Sequence, residues 1–225
     1  TNINQILPNE LCDPLNGVLG FSDLIRKNSK MIDKDTISRY ADYIYKSAIK
    51  INRFTENILL YSKLRAHNLL KNNDKSENGF EIINTTEVIT SVIEKQNEVF
   101  DDISQKIILN DTGCKIKMNL FHFTKLVEEL LFNAITYSIN KTKIIINSNI
   151  EKDTYIFSIE NCTSNISDKW IEELKEKIKI ENDVKYGILK FGLILVNYIC
   201  NYYGGEIKLF NIDNQLIIYF LLNLY

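Results

Sequence analysis

The sequence predicts an α+β fold: an N-terminal hairpin of two long helices, then a mixed sheet covered by helices on one face. Two observations carry this. Over residues 5–25 apolar positions recur at Leu7, Leu11, Pro14, Val18, Phe21 and Ile25, in alternating steps of four and three. That is the spacing of a helical seam that packs against other helices. Past residue 80 the period changes, and short β-rich runs alternate with apolar helical stretches, as in an α/β sandwich.

The first helix is expected over residues 2–29. Pro14 removes a backbone donor and clashes one turn back, which predicts a kink there. Asn9 lies about 200° around the helix from Leu7 and faces away from the seam. A turn follows at 30–34. The second helix starts near Asp35 and Thr36 and runs to about residue 66, with its seam at Ile37, Tyr40, Ile44, Ser47, Ile51, Phe54, Ile58 and Tyr61. Its isoleucines recur every seventh residue, a coiled-coil spacing. A lone hairpin of this length leaves half of each seam wet. Two hairpins pairing as a four-helix bundle would cover it, so a homodimer is expected.

Residues 67–79 turn polar, which places a linker at 69–79 between a hairpin domain, 1–68, and a second domain, 80–225. His67, at the end of the second helix, reads as a surface residue. In the second domain residues 80–83 form a short strand, and Thr85 and Thr86 cap a helix carrying Val88, Ile89, Val92 and Ile93. Strands follow at 106–109 and 115–118. A helix at 120–138 turns Phe123, Leu126, Val127, Leu130, Leu131 and Ala134 inward. Strands at 143–150 and 154–160 form a hairpin turning at Glu151, Lys152 and Asp153. Helices at 169–178 and 186–203 come next, the latter stopped by Gly204 and Gly205. Strands at 206–210 and 215–224 close the chain.

Composition bounds the function. The 225 residues are 45% hydrophobic and 25% charged, with a net charge of −2, ordinary for a soluble globular protein. Charges of both signs are interleaved, so no nucleic-acid footprint is visible. No apolar run approaches the ~18 residues of a bilayer span, so a membrane attachment would come only from segments outside this chain. The sequence opens on Thr1, which leaves flanking sensor domains open. Cys12, Cys114, Cys162 and Cys200 are widely spaced, with no C-x-x-C pair. That excludes an evident zinc site and suits the reducing cytoplasm.

The run Asn9-Glu10-Leu11-Cys12-Asp13-Pro14-Leu15-Asn16-Gly17 resembles the phospho-acceptor box of sensor histidine kinases. There a His, followed by Glu, a kinking Pro and Leu, opens the first helix of a dimeric four-helix bundle. The element order from residue 80 resembles the family's ATP-binding domain, shared with gyrase, the Hsp90 chaperones and MutL and known as the GHKL fold. Residues 129–138, Glu129-Leu130-Leu131-Phe132-Asn133-Ala134-Ile135-Thr136-Tyr137-Ser138, resemble its N box. The resemblance spans nearly the whole chain. It implies a dimer working in a two-component phosphorelay, with Mg-ATP as cofactor.

Carried over residue by residue, it implies that Asn133 holds Mg²⁺ between the nucleotide phosphates, a suitable task for a hard amide oxygen. Glu129, one turn earlier, stands where a polar residue polarises a nucleophile or supports the metal. Retention of both for packing alone is the other reading. Thr136 stands where the family often has a basic residue. The strand end near residue 160 aligns with the D-x-G-x-G box. The Asp that reads the adenine amino group corresponds to Asn161, whose carbonyl could still accept that bond. The two glycines correspond to Thr163 and Asn165, whose side chains are expected to narrow the pocket and disfavour positive φ. In the second glycine box Ile188, Lys190 and Gly192 stand at the glycine positions, and only Gly192 keeps the residue. A lysine ammonium attracts phosphate but does not replace a nest of backbone N–H groups.

The acceptor box departs furthest. A histidine takes a phosphoryl group through an in-plane nitrogen lone pair. The amide nitrogen of Asn9 has its lone pair delocalised, so autophosphorylation is not expected. The phosphatase position, four residues on, holds Asp13, whose carboxylate repels an aspartyl phosphate. Glu10 has no imidazole beside it to deprotonate. An engineered change would account for Asn9 but not for Thr163, Asn165, Ile188 and Lys190, so natural degeneration is expected. The resemblance thus implies a pseudokinase with no catalytic residue, docking a response-regulator receiver domain or a partner kinase. The alternative is residual Mg-ATP binding at Glu129, Asn133, Asn161 and Gly192, with slow hydrolysis or phosphorylation of a partner in trans.

Overall fold

A computed structural model describes residues 7–28, 31–70, 80–100, 103–139, 142–164, 167–179 and 191–224. The chain divides into two compact units. One comprises Thr1–Lys63 with Glu181–Phe191, and the other Leu64–Ile180 with Gly192–Tyr225.

The first unit contains α1 (Leu7–Asn28) and most of α2 (Lys34–Leu70). Helix α1 runs through Pro14 without a break in helical backbone. The turn is closed by Asn28, whose carbonyl accepts from the N–H groups of Met31 and Ile32. Asp33 caps α2: its carboxylate accepts from the Thr36 N–H at 2.7 Å and the Thr36 hydroxyl at 2.9 Å. Both bonds favour the ionised form and hold its pKa below the usual carboxylate value. The helices meet where Phe21 stacks on Tyr43, with ring centroids 4.8 Å apart, and tilts against Tyr40 at 5.3 Å. One turn away Gly17 allows close approach, because a Cβ there would lie 2.6 Å from Ser47 Oγ.

The second unit is built on a five-stranded sheet of order β2-β4-β5-β7-β6, beside a two-stranded sheet of β1 and β3. The strands are β1 (Glu81–Asn84), β2 (Ile107–Asp111), β3 (Lys115–Met118), β4 (Ile144–Glu151), β5 (Thr154–Cys162), β6 (Glu206–Ile212) and β7 (Gln215–Asn223). Among the described residues, β2 and β4 pair in parallel and the other strand pairs are antiparallel. The helices are α3 (Thr85–Asn97), α4 (Ile103–Lys106), α5 (Leu120–Tyr137), α6 (Asp168–Lys179) and α7 (Phe191–Tyr202).

Alternation along β5 sends Tyr155, Phe157, Ile159 and Asn161 inward, and along β7 Leu216, Ile218, Phe220 and Leu222. Phe123 of α5 sets its ring edge-on against Tyr155 and Phe157, at 6.0 and 6.3 Å. Tyr155 is fully buried, and its hydroxyl lies 3.1 Å from that of Ser148. Burial makes its ionisation harder. On the opposite face Ile108, Ile145, Glu160, Ile217 and Phe210 form one row across all five strands, and all five are half-buried or exposed.

Most expected elements appear within a few residues. The N-cap of α3 is Asn84, which accepts from the Thr86 N–H, rather than Thr85 or Thr86. Thr85 is buried, with its hydroxyl donating to the Cys114 carbonyl. Residue 106, expected in a strand, closes the short helix α4 instead. The expected helix start at 186–190 lies outside the described residues. Helix α7 ends as expected: Gly204 takes φ +70°, and the Gly205 N–H returns to the Cys200 carbonyl.

His122 sits in a ring cluster with Phe80, Tyr202 and Tyr203. The Tyr203 oxygen accepts from the Asn119 N–H, and its hydroxyl lies 2.8 Å from His122 Nδ1. Desolvation pushes the imidazole down to about 4 from 6.5.

Two predictions follow from this packing. A methyl on Gly205 would lie 2.5 Å from the Leu221 carbonyl oxygen, whereas one on Gly20 meets nothing within 4 Å. In urea unfolding Gly205→Ala should cost about 1–3 kcal/mol, while Gly20→Ala should stabilise by roughly 0.5–1 kcal/mol. His122 binds its proton more weakly folded than unfolded, so stability should fall as pH drops through the 6.5-to-4 window. His122→Gln should flatten that part of a melting-temperature profile.

Candidate functional site

Four polar residues of α5, Lys125, Glu128, Glu129 and Asn133, are buried. Lys125, Glu129 and Asn133 are spaced four apart, within an arc of about 80°. They are 2%, 0% and 7% exposed. Lys125 Nζ lies 3.4 Å from the carboxylate of buried Glu128, which also takes Lys95 Nζ of α3 at 2.8 Å. Charges at this depth persist when paired. The expected inward residues Phe123, Leu126, Val127, Leu130, Leu131 and Ala134 are all buried. Lys125 was the residue missed, although its i, i+3 spacing to Glu128 is written in the sequence.

Asn161 comes from β5, where it pairs with Ile144 of β4 and Leu216 of β7. It is 3% exposed. Chain connections draw the ends of α5 and β5 together. Ser138 bridges to Thr163, and the Ile139 N–H donates to the Cys162 carbonyl at 2.9 Å. Asn133 lies five residues before that bridge and Asn161 two before it. The structure therefore brings both to the same end of the sheet.

Thr163 does not distort the backbone. Among the described residues, the non-glycines with positive φ are Lys152, Asp213 and Asn214. The Thr163 N–H donates to the Asn214 carbonyl at 2.8 Å, and its hydroxyl approaches the same oxygen at 3.4 Å. Its side chain is thus committed to the β6–β7 turn. Gly192 is buried in the first turn of α7. Asn9 and Glu10 lie in the first turn of α1, but their side chains are outside the described residues, as are that of His67 and residues Asn165, Ile188 and Lys190. Asp13 is exposed.

Two atoms stand out chemically. Nδ2 of Asn133 and Nδ2 of Asn161 are buried without a hydrogen-bond partner. A buried orphan donor costs about 1–3 kcal/mol, and such atoms mark places where a ligand or solvent completes the bonding. Turning an amide by half a revolution exchanges its oxygen and nitrogen. Each residue therefore offers a donor or an acceptor, and Asn133 with Glu129 supplies oxygen donors of the kind Mg²⁺ takes. The donor set fits a Mg²⁺-nucleotide. Among the described residues no cluster of three or more His, Cys, Asp or Glu could hold a metal ion.

Comparison with known proteins adds the family context. The sequence matches no established family profile. It is 22% identical over 216 residues to the sensor protein KdpD of Clostridium acetobutylicum, covering 94% of this chain and 23% of that protein. The chain thus spans about a quarter of the length of the curated relative it matches. The histidine kinase AdeS of Acinetobacter baumannii superposes with a TM-score of 0.63 at 18% identity, over 96% of this chain and 97% of that one. The fold is that of the sensor histidine kinases. Full-length ShkA, solved in complex with AMPPNP, superposes on the histidine-kinase-like chain at a TM-score of 0.58 and 13% identity, over 96% of this chain and 44% of that one. The histidine kinase domain of the E. coli osmosensor EnvZ gives 0.51 at 18% identity, over 68% and 93%. Among the described residues no helix is long and apolar enough to cross a membrane.

The orphaned amides make a stability prediction. Asn133→Leu and Asn161→Leu should each leave folding stability unchanged or raise it by up to about 1–3 kcal/mol. A loss of similar size in urea unfolding would show that the amide is already satisfied.

Proposed function

We propose that this chain is a pseudokinase of two-component signalling, acting by docking rather than by phosphoryl transfer. The observation that carries this is the amide of Asn9 at the acceptor position of a histidine-kinase-like first helix. An amide nitrogen is neither a nucleophile nor a base, so the helix keeps a docking face without its reactive atom. Asp13, three residues beyond Glu10, is exposed on α1 together with Cys12 and Asn16, and this surface meets a response-regulator receiver domain or a partner kinase. The seam supports dimerisation. Leu11, Val18, Phe21, Ile25, Tyr40, Ile44 and Ile51 are only half-buried, and Leu15, Leu19 and Leu24 are exposed. A second copy would cover them.

A second reading is favoured by one specific observation, the buried and unpartnered amides of Asn133 and Asn161. In it, Glu129, Asn133, Asn161 and Gly192 still hold a Mg²⁺-nucleotide. The metal when bound supplies charge neutralisation at the phosphates. Asn133 and Glu129 orient it, and Asn161 reads the base. Such a nucleotide is a ligand of the pseudokinase, or a phosphoryl donor to a partner's His in a mixed dimer.

The test uses the chain with Mg²⁺ and γ-labelled ATP, followed by calorimetric titration with receiver domains and histidine kinases from the same organism. No label should remain on the protein. At least one of these partners should bind, and Asp13→Arg should weaken that binding at least tenfold. Stable label on any side chain, or silence with every partner, overturns the docking reading.

A further inference from the structure

The outer face of the five-stranded sheet is apolar around one carboxylate. Glu160 sits in the middle of a row on the central strand, β5. Ile145 and Ile217 lie directly opposite it on β4 and β7, and Ile108 and Phe210 complete the row on the edge strands. Strand alternation puts Ile156, Leu221 and Ile212 on the same face, and they too are half-buried or exposed. A contiguous exposed apolar surface of this kind marks an interaction site.

The polar row beside it is bonded largely within itself. Asn110 Nδ2 donates to Asn147 Oδ1 at 2.9 Å, and Asn147 Nδ2 donates to Ser158 Oγ at 3.0 Å. Tyr219, next in register, sets its ring edge-on to Phe210 at 5.8 Å. Lys208 beyond it pairs with Glu206 at 3.1 Å. Groups already bonded to one another are covered at little cost. Glu160 is the exception: among the described residues no hydrogen bond or ion pair reaches its carboxylate, and an isoleucine flanks it on either side. A purely apolar cover would strand this charge, and a cation would pair it. A second copy packed face to face about a two-fold axis through the centre would set Glu160 against Glu160. Nucleic acid or an anionic membrane would meet the same repulsion. A lysine or arginine on the apolar stripe of a helix fits, because its stem lies over the isoleucines while its head reaches the carboxylate. The nine residues of β5 span about 30 Å, the length of a helix of about 20 residues.

We propose that the outer sheet face docks an amphipathic helix of a partner protein, whose apolar stripe brings one central lysine or arginine onto Glu160. The isoleucines, Leu221 and Phe210 supply the apolar contact, and the single carboxylate sets which helix is accepted.

The experiment titrates the whole chain with two synthetic helical peptides of about 20 residues. Each carries a leucine stripe with neutral polar residues elsewhere, and they differ in having lysine or glutamate at the centre of the stripe. The lysine peptide should bind at least tenfold more tightly, and Glu160→Lys should reverse that order. Where Glu160→Lys does not fold, the milder Glu160→Gln should abolish the preference. Bound lysine peptide should also slow the reaction of Cys162 with a maleimide, read by mass spectrometry, since that half-buried thiol lies on the same face of β5. Equal binding of the two peptides, or binding of neither, overturns the proposal, as does an order that Glu160→Lys leaves unchanged. Protection of Cys162 in the free chain that disappears on dilution would put a second copy on this face and overturn it as well.

Discussion

Helix α5 seated on the inner face of β5 is the contact on which the second unit depends. Phe123 lies edge-on to Tyr155 and Phe157, and Leu126, Leu130 and Leu131 are wholly buried beside it. Each such side chain contributes roughly 1.5–3 kcal/mol on burial. The opposing cost is concentrated in a few polar groups on the same helix. The Lys125–Glu128–Lys95 pairing offsets two of the charged ones, and Asn133 adds an orphaned amide on α5, at about 1–3 kcal/mol. The apolar side therefore fixes the helix, and the polar side is held where it is, whether or not it is satisfied. Asn133 is positioned by a core that does not need it.

That asymmetry lets a fold of the histidine-kinase type keep its architecture while its polar residues vary. The hairpin and the sheet rest on apolar seams, which tolerate substitution of exposed polar residues. Thr163 in place of a glycine is accommodated by ordinary backbone and a bond to Asn214. The narrowing expected from such departures presumes that the side chain points into the pocket. At residue 163 it points to the β6–β7 turn, where Asp213 and Asn214 take the positive φ.

The element order was legible because period and turn chemistry are local. The seams at Leu11, Val18, Phe21 and Ile25, the inner face of α5 and the Gly204 stop all read directly from spacing. Helix α4 was not legible, since four residues are too few to establish a period. The cap of α3 moved to Asn84 because Thr85 is consumed by a tertiary bond to Cys114. The site was legible as a set of residue types and not as a state of bonding. Whether Nδ2 of Asn161 finds an acceptor depends on β4, β7 and the β6–β7 turn, which no local window contains.

The orphaned amides link the two functional readings. Two unpaired buried donors leave the protein less stable than apolar residues there would, by the costs given above. Any ligand that supplies acceptors stabilises the folded state, by about 2.7 kcal/mol at a hundredfold excess over its dissociation constant. That is comparable to the cost of the orphans themselves. A ligand that supplied such acceptors would thus order the end of the sheet where α5 and β5 meet. Under the docking reading proposed above, such a ligand would act by ordering the second unit and not by chemistry.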